Sequence, residues 1–233
     1  MENVFSSAII VAAGKGKRMG RDVSKQFLSL GGKAIIEYAV SVYNCCDIVN
    51  EIIIVTSKEE IDSCKAIFSE YEFKKTIKFV DGGKERYDSV YNGLLNVSDK
   101  SEIVIVHDGV RPFVNDSMIR EVACACTQTG GAVLGVKVKD TIKIVSESGF
   151  VIDTPKRDSL YNIQTPQAFK KQILIKAYAK AYETGVFGTD DASLVENMGY
   201  LVKIVEGSYD NIKITTVDDL ILAEKILTGG DLK

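Results

Sequence analysis

Histidine is nearly absent from this sequence, and its few cysteines are not spaced for a metal site. His107 is the only histidine, so a Ser-His-Asp hydrolase would depend entirely on that residue. The five cysteines are odd in number, and no pair has the spacing of a zinc knuckle. We therefore expect the cysteines to be small, buried thiols in a reducing cytoplasm.

The sequence also lacks the features that bring a protein to a membrane or to nucleic acid. No apolar run approaches the ~20 residues that span a bilayer. The first ten residues, MENVFSSAII, contain an acid and no basic segment, which argues against a signal peptide. The formal net charge of −3 provides no broad basic field for nucleic acid. These absences predict a cytoplasmic protein whose partners are neither membranes nor nucleic acids.

What is present is the composition of an ordinary globular protein. At 233 residues, with 45% hydrophobic and 26% charged residues, the chain is long enough for one α/β domain with a full core. No internal repeat, low-complexity linker or shift in composition divides the sequence. We therefore expect a single domain over residues 1–233.

Apolar segments of strand length alternate with segments of helical periodicity. Strands are predicted at 8–13, 51–55, 76–80, 103–106, 132–138 and 200–205. Helices are predicted at 33–46, 59–68, 86–97, 116–129, 170–183, from about 189, and at 216–227. This alternation is typical of right-handed βαβ units. It predicts an α/β, Rossmann-like fold with a mostly parallel sheet and helices on both faces.

Residues 140–157 break this alternation. Two short β-prone runs, Thr141 to Val145 and Phe150 to Thr154, flank the segment Ser146 to Gly149 and predict a protruding β-hairpin. A two-stranded hairpin is only marginally stable in water, and this one has more apolar side chains than a solvent-facing ribbon normally exposes. We expect a dimerisation arm that completes the site of a neighbour. The alternative is a hairpin folded back on its own domain.

The stretch from Ala8 to Lys25, AIIVAAGKGKRMGRDVSK, is the most informative part of the sequence. A short apolar strand ends in glycines at 14, 16 and 20, which let backbone N–H groups close around an anion. Five basic side chains against one acidic side chain give this stretch a charge of +4. It predicts a polyphosphate site at the carboxyl end of a parallel sheet, with a simple tight turn as the alternative.

The spacing of this loop excludes two common nucleotide-binding motifs. A dinucleotide-binding fingerprint requires its third glycine at the position of Met19. A P-loop requires Gly-Lys-Ser/Thr where the chain has Met19-Gly20-Arg21. A dehydrogenase is therefore disfavoured, whereas a regulatory module that binds a nucleotide without turnover stays open.

Polar residues also follow the other predicted strands, where open parallel sheets bind their ligands. Gly82 and Gly83 follow the third strand, and Asp108 ends the apolar strand IVIVHD. A carboxylate there is costly unless it binds something, and Mg²⁺ bridging phosphate oxygens would use it well. The alternative is an aspartate that caps the next turn. Arg111 could pair with Asp108 or clamp a phosphate, and we favour the phosphate; His107 is expected to be packed or hydrogen-bonded.

The first loop, AAGKGKRMGRDVSKQFLSLGGKAII, resembles the signature of nucleotidyltransferases that load a sugar or polyol phosphate onto a nucleotide. Six further motifs resemble, in order, those of the 2-C-methyl-D-erythritol 4-phosphate cytidylyltransferase family of the non-mevalonate isoprenoid pathway. They are GGKERYDSVYNGL, VHDGVRPFV, DTIK, QTPQAF, TDDASLVE and NIKITTVDDL, and the match covers nearly the whole chain. The alternative is the ribitol-5-phosphate cytidylyltransferases, which share the first loop and QTPQ. Asp88-Ser89 and the segment from Asp190 to Glu196 favour the erythritol family, whereas Gly109-Val110 replaces its usual pair of alanines and Val110 is common in the ribitol branch.

The resemblance implies transfer of CMP from CTP to 2-C-methyl-D-erythritol 4-phosphate, with Mg²⁺ as the metal and a homodimer with interlocked arms. It implies that Arg18 and Lys25 stabilise the transition state and that Arg157 and Lys213 hold the acceptor phosphate. The residues implied for the rest of the acceptor site are Thr141, Thr165 and Thr189, and Arg111 is expected to join them as a phosphate clamp. Those implied for CTP are Ala12, Ala13, Gly14, Gly16, Gly82, Gly83, Ser89, Asp108 and Gly109, with Asp108 as the metal ligand.

Overall fold

The structure, a computed structural model, describes residues 4–14 and 24–229, and within them a seven-stranded sheet forms the centre of the molecule. The strands are β1 (Ser6–Ala12), β2 (Ser29–Leu30), β3 (Lys33–Ala34), β4 (Glu51–Thr56), β5 (Thr76–Asp81), β6 (Ile103–Asp108), β7 (Gly131–Lys137), β8 (Ile144–Val145), β9 (Val151–Asp153), β10 (Tyr161–Lys170) and β11 (Val202–Glu206). The central sheet has the order β11-β7-β10-β6-β1-β4-β5. The short strands pair as β2 with β3 and β8 with β9.

The central sheet is parallel except at one strand. β6, β1, β4 and β5 are parallel neighbours, and β11 is parallel to β7. β10 lies antiparallel between β6 and β7. The predicted mostly parallel α/β sheet is thus confirmed. Because β6, β1, β4 and β5 run in the same direction, the loops that follow them lie at one edge of the sheet.

Helices cover both faces of this sheet. They are α1 (Ile35–Cys45), α2 (Ile61–Ile67), α3 (Arg86–Leu94), α4 (Asp116–Thr129), α5 (Lys171–Thr184), α6 (Asp191–Glu196) and α7 (Val217–Leu227). Ile9 and Ile53 pack in one hydrophobic cluster with α3, α5 and α6, whereas Ile10 and Ile52 pack in another with α1, α2 and α4. Successive strand residues therefore point to opposite faces, and each fully buried isoleucine contributes about 1.5–3 kcal/mol.

Capping residues fix the ends of two helices that the sequence predicts closely. The Asn115 side chain accepts a hydrogen bond from the Met118 amide at the start of α4, and Gly130 ends that helix with a φ of 96°. At the start of α7, Thr216 and Asp219 form the expected capping box. The predicted bounds 116–129 and the start at 216 are thus confirmed.

β10 differs most from the sequence-based interpretation. The strand continues past Thr165 and Pro166 as far as Lys170, and its pairing with β7 shifts register between Ile163 and Gln167. Proline has no N–H to donate to a neighbouring strand, which accounts for a break in the ladder at this point. The apolar residues Ala168 and Phe169 then resume the pairing inside the core.

The hairpin expected at residues 140–157 is present. β8 and β9 pair antiparallel, and the apolar side chains of the hairpin are exposed to solvent, most of all Phe150 at 75% and Ile152 at 67%. The prediction of a protruding arm is thus confirmed, whereas its role in dimerisation stays a prediction.

Two other expectations concern cysteines and location. Cys46, Cys64 and Cys126 are buried as predicted, but the prediction is wrong for Cys45 and Cys124, which lie on helix faces turned away from the sheet and are exposed. In the described ranges, none of the helices has the length and apolarity needed to cross a bilayer. The cytoplasmic location itself, like the assignment of residues 1–233 to a single domain, stays a prediction.

Candidate active site

A cleft of about 790 Å³ opens at the carboxyl ends of β1, β5 and β6. The predicted site residues that line it are Ala12, Ala13, Gly14, Lys25, Gly82, Gly83, Ser89, Asp108 and Lys213. Gly109 lies next to the lining and donates its N–H to the Val11 carbonyl at 2.9 Å. Loops that are far apart in the sequence therefore meet at one site, as the parallel topology predicts.

Glycine is required where the loop after β5 approaches the loop after β1. A Cβ atom at Gly82 would overlap that of Ala13, and one at Gly83 would overlap that of Asp88. The buried Ser89 hydroxyl accepts a hydrogen bond from the Gly83 amide at 3.0 Å and donates to the Glu85 carbonyl at 3.1 Å. Backbone atoms, held in place by Ser89, therefore form this wall of the cleft. Because Gly82 and Gly83 have no side chains, a flat ligand can approach the wall closely.

Asp108 lies at the base of the cleft, only 5% exposed, with cationic side chains on both of its oxygens. Its Oδ1 accepts from Arg86 Nε at 3.1 Å, and its Oδ2 lies 2.8 Å from Lys213 Nζ and 3.7 Å from Arg111 Nε. Burial alone would raise the pKa of Asp108, but the charges of Arg86, Lys213 and Arg111 outweigh it and hold that pKa well below its usual range. Asp108 is therefore an ionised carboxylate at neutral pH.

Arg111 lies behind Asp108 and does not line the cleft. It is only 8% exposed, and its Nη1 donates to the Asn211 carbonyl at 2.7 Å. Of the two hypotheses drawn from the sequence, pairing with Asp108 is the contact that the structure contains. A contact between Arg111 and a phosphate stays a prediction.

Thr165 and His107 hold the backbone of Asp108. The Thr165 hydroxyl accepts from the Asp108 amide at 3.0 Å and lies 3.1 Å from His107 Nδ1. His107 Nε2 lies 3.2 Å from the Arg111 carbonyl, which can only accept, so Nε2 carries the proton and Nδ1 accepts from Thr165. Burial lowers the pKa of His107 to about 4, which keeps the ring neutral. Both hydrogen bonds of the Thr165 hydroxyl are therefore made within the protein. A contact between Thr165 and the acceptor stays a prediction.

Lys213 is held beside Asp108 by the residue that follows it. Ile214 is fully buried and donates its N–H to the Val110 carbonyl at 2.9 Å. The segment NIKIT is therefore a connection packed against the end of β6, and Lys213 turns into the cleft instead of toward open solvent.

Three predicted residues of the acceptor site do not line the cleft of their own chain. Thr141, Arg157 and Thr189 are exposed, and Arg157 donates to the Lys139 carbonyl at 3.1 Å near the base of the hairpin. Arg18 and Gly16 lie outside the described residues. Within one chain, the cleft and the predicted acceptor residues of the hairpin are thus not brought together, and their roles stay predictions.

The sequence places Arg86 among the polar residues that follow the third predicted strand but assigns it no specific role. In the structure Arg86 lines the cleft and forms ion pairs with both Asp108 and Asp191. A further signal was present. Arg86 is the first residue of α3, where the helix dipole disfavours a cation, so an arginine there needs an anionic partner. Gln26, which supports the interpretation of the first loop as a phosphate site, is buried, and its Nε2 donates to the Ala12 carbonyl at 2.6 Å, which fixes the end of β1.

Comparison with known proteins identifies a family that the chain resembles over nearly its whole length. A family model described as 2-C-methyl-D-erythritol 4-phosphate cytidylyltransferase matches residues 6–229. Proteins of that name from Caldanaerobacter subterraneus subsp. tengcongensis and Clostridium botulinum (strain ATCC 19397 / Type A) are 47% and 48% identical. Each alignment covers 95% of this chain, and 98% and 97% of the relative, respectively.

Solved structures extend this likeness to three dimensions. The 4-diphosphocytidyl-2C-methyl-D-erythritol synthase of Anaerococcus prevotii superposes with a TM-score of 0.88 at 37% identity, covering 97% of this chain and 96% of that one. The 2-C-methyl-D-erythritol 4-phosphate cytidylyltransferase of Thermus thermophilus gives 0.77 at 30% identity, covering 97% and 100%. Because sequence and fold agree from β1 to α7, the chain belongs to the 2-C-methyl-D-erythritol 4-phosphate cytidylyltransferase family.

Proposed function

We propose that this chain transfers CMP from CTP to 2-C-methyl-D-erythritol 4-phosphate in isoprenoid precursor biosynthesis. The products are 4-diphosphocytidyl-2-C-methyl-D-erythritol and pyrophosphate. Membership of the family supports the reaction and both substrates. The structural observation that carries the proposal is the meeting of a glycine wall with Lys25, Lys213 and the ionised Asp108 in one cleft.

The reaction needs positioned charge more than it needs a base. A phosphate oxygen of the acceptor attacks the α-phosphorus of CTP, and the bond between that phosphorus and the oxygen leading to the β-phosphorus breaks as pyrophosphate leaves. A phosphomonoester has a second pKa of about 6, so the nucleophile is already largely dianionic at neutral pH. A neutral, buried His107 is therefore no obstacle to the chemistry.

The chain's contribution is to hold the two substrates in line and to offset their negative charge. Lys25 lines the cleft and Arg18 belongs to the basic loop after β1, so both are proposed to act on the α-phosphate and the leaving group. Gly82 and Gly83 give the nucleotide a backbone wall. Lys213 is proposed to hold the phosphate of the acceptor.

The cleft offers the type of ligand that Mg²⁺ prefers, a carboxylate oxygen. Within residues 4–14 and 24–229, groups of three or more His, Cys, Asp or Glu that could form a complete metal site are absent. Mg²⁺ characteristically takes one or two carboxylates together with phosphate oxygens and waters, and the ionised Asp108 supplies one carboxylate. When bound there, Mg²⁺ would neutralise charge on the phosphates. A bound metal must either share Asp108 with Arg86 and Lys213 or displace one of them.

The acceptor site is proposed to be completed by a second copy of the chain. Thr141 and Arg157 lie at the base of the exposed hairpin and outside the cleft of their own chain. The hairpin carries solvent-exposed Phe150 and Ile152, whose burial against a partner would stabilise a homodimer. A two-fold axis would make the exchange of arms reciprocal.

Pyrophosphate release tests the function. We expect release only when CTP, 2-C-methyl-D-erythritol 4-phosphate and Mg²⁺ are all present. In a competition assay, ribitol 5-phosphate should be the poorer acceptor in kcat/KM. Pyrophosphate release without an acceptor would contradict the transfer reaction, and a tenfold preference for ribitol 5-phosphate would assign the protein to the other branch.

A further inference from the structure

Arg86 is shared between two carboxylates that come from distant parts of the chain. Its Nε contacts Asp108 Oδ1 at 3.1 Å, and its Nη1 lies 3.0 Å from Asp191 Oδ2. The Arg86 side chain is 29% exposed and lines the cleft. A single guanidinium thus connects the base of the cleft to α6.

Asp191 is buried more deeply than helix capping requires. The cap of α6 is its neighbour Asp190, whose side chain accepts from the Ser193 amide at 3.0 Å. Asp191, by contrast, is 1% exposed on the inner side of the helix. A buried carboxylate is costly unless it is paired, so its partners indicate its role.

Tyr178 is the second partner of Asp191. Its hydroxyl donates to Asp191 Oδ1 at 2.5 Å, and Tyr178 is fully buried on α5. Burial and the Asp191 charge raise the pKa of Tyr178 well above its ordinary value, so the hydroxyl keeps its proton and remains a donor. Asp191 Oδ2 has no aligned hydrogen bond among the described residues, which leaves the ion pair with Arg86 as its contact.

The charges explain why this pair matters for the cleft. Among the described residues, Arg86, Arg111 and Lys213 place three positive charges around Asp108, which offsets only one of them. Asp191 supplies the second negative charge, from behind Arg86. Without Asp191, the excess positive charge that a divalent cation meets at Asp108 would rise from +1 to +2, and Arg86 would lose the anchor that fixes its direction.

We propose that Asp191, oriented by Tyr178, is a positioning residue that anchors Arg86 and so keeps Asp108 available to the metal of the CTP complex. This inference rests on the proposed function, in which Asp108 is the metal ligand. It assigns to the second aspartate of TDDASLVE a role in metal-dependent nucleotide binding, although that residue does not line the cleft.

The test is calorimetric titration of CTP without an acceptor, at a series of Mg²⁺ concentrations and in EDTA. Asp191→Asn should raise the Mg²⁺ concentration needed for half-maximal CTP affinity by about 10- to 100-fold. Tyr178→Phe should shift it in the same direction by roughly threefold, because one hydrogen bond is lost. In EDTA, Asp191→Asn should bind CTP as tightly as the native protein or more tightly, since a negative charge has been removed.

Glu51→Gln is the matched control. Glu51 is also a buried carboxylate, 2% exposed and ion-paired with Lys78, but it lies at the start of β4, the end of the sheet away from the cleft. Its replacement should lower the melting temperature and leave the Mg²⁺ midpoint unchanged. In steady-state kinetics, Asp191→Asn should raise the KM for CTP far more than it changes kcat or the KM for the acceptor.

A double-mutant cycle tests whether Asp191 acts through Arg86. In an Arg86→Met background, Asp191→Asn should cause no further shift of the Mg²⁺ midpoint. An additive shift, equal losses in EDTA and Mg²⁺, or an Asp191→Asn midpoint equal to that of the native protein would each overturn the inference. If Asp191→Asn does not fold, Tyr178→Phe decides on the same criteria. A native protein that neither binds CTP nor releases pyrophosphate would instead overturn the proposed function.

Discussion

Lys213 Nζ lies 2.8 Å from Asp108 Oδ2, so the lysine proposed to hold the acceptor phosphate is paired with the carboxylate proposed to hold the metal. Of the three cations around Asp108, Lys213 has the most exposed side chain, 37% against 29% for Arg86 and 10% for Arg111. Arg86 is held from behind by Asp191, and Arg111 by the Asn211 carbonyl. Lys213 is therefore the partner that a bound metal would displace with least disturbance to the fold.

This relationship gives the first prediction. Lys213→Met should lower kcat/KM for the acceptor by about tenfold or more, because an ion pair to its phosphate is lost. Calorimetric CTP binding at low Mg²⁺ should be retained or become tighter, since Asp108 has one competitor fewer. Lys203→Met, at an exposed position of β11, is the control and should change neither quantity. A Lys213→Met protein with unchanged acceptor kinetics would contradict the assignment.

The second prediction concerns the basic loop after β1. Lys25→Ala and Arg18→Ala should each lower kcat by on the order of 10²- to 10³-fold, the cost of removing one transition-state electrostatic donor. Lys33→Ala is the matched control, because Lys33 is exposed on the nearby β3 and does not line the cleft. Circular dichroism should show native secondary structure in all three variants. Near-native kcat in either loop variant would remove that residue from the proposed mechanism.

Much of the fold could be predicted from local sequence signals. The buried strands β1, β4 and β6 are short apolar runs, and α4 is bounded by Asn115 and Gly130, which fix its ends through backbone contacts. β10 could not be predicted in this way. It contains Pro166 and several polar residues, and its place between β6 and β7 depends on pairing that forms only in the folded sheet.

The candidate site likewise contains residues whose meeting could be predicted from the sequence and others whose contact could not. Gly82, Gly83 and Asp108 follow strands, so the parallel topology alone predicts that they meet. The pair Arg86 and Asp191 joins two helices through side chains, and no local pattern in the sequence reports such a contact. Arg86 follows the third predicted strand, which places it near the site, and its position in the first turn of a helix indicates that it needs a partner without indicating which one.

The third prediction concerns the arm. Deleting residues 143–154 should convert a homodimer to a monomer in light scattering, with loss of activity as the proposed contribution to the partner's site disappears. The double variant Phe150→Ser/Ile152→Ser should weaken the dimer in the same direction, because it removes the two most exposed large apolar side chains of the arm. Leu201→Ser is the control, since Leu201 is 81% exposed but lies outside the arm. A fully active dimer after the deletion would show that the arm serves its own subunit.

The fourth prediction is thiol labelling. Cys45 and Cys124 are exposed, whereas burial raises the pKa of Cys46, Cys64 and Cys126 to about 12. Thiolate is the reactive form, so iodoacetamide at pH 8 should label the two exposed cysteines in the native protein and all five after denaturation. Mass spectrometry of the peptides identifies the labelled sites. Rapid native labelling of Cys64 would show that α2 opens from the sheet.

The last prediction is a pH dependence of stability. Burial lowers the pKa of His107 from its unfolded value of 6.5 to about 4, so below pH 6.5 the unfolded chain binds a proton that the folded chain excludes. Stability should therefore fall as pH decreases from 6.5 toward 4. Between pH 7 and pH 5, urea unfolding of the metal-free protein should lose about 2 kcal/mol more than that of His107→Gln. Glutamine does not titrate there and can still donate to the Arg111 carbonyl. Equal losses in the two proteins would mean that His107 takes up its proton without unfolding.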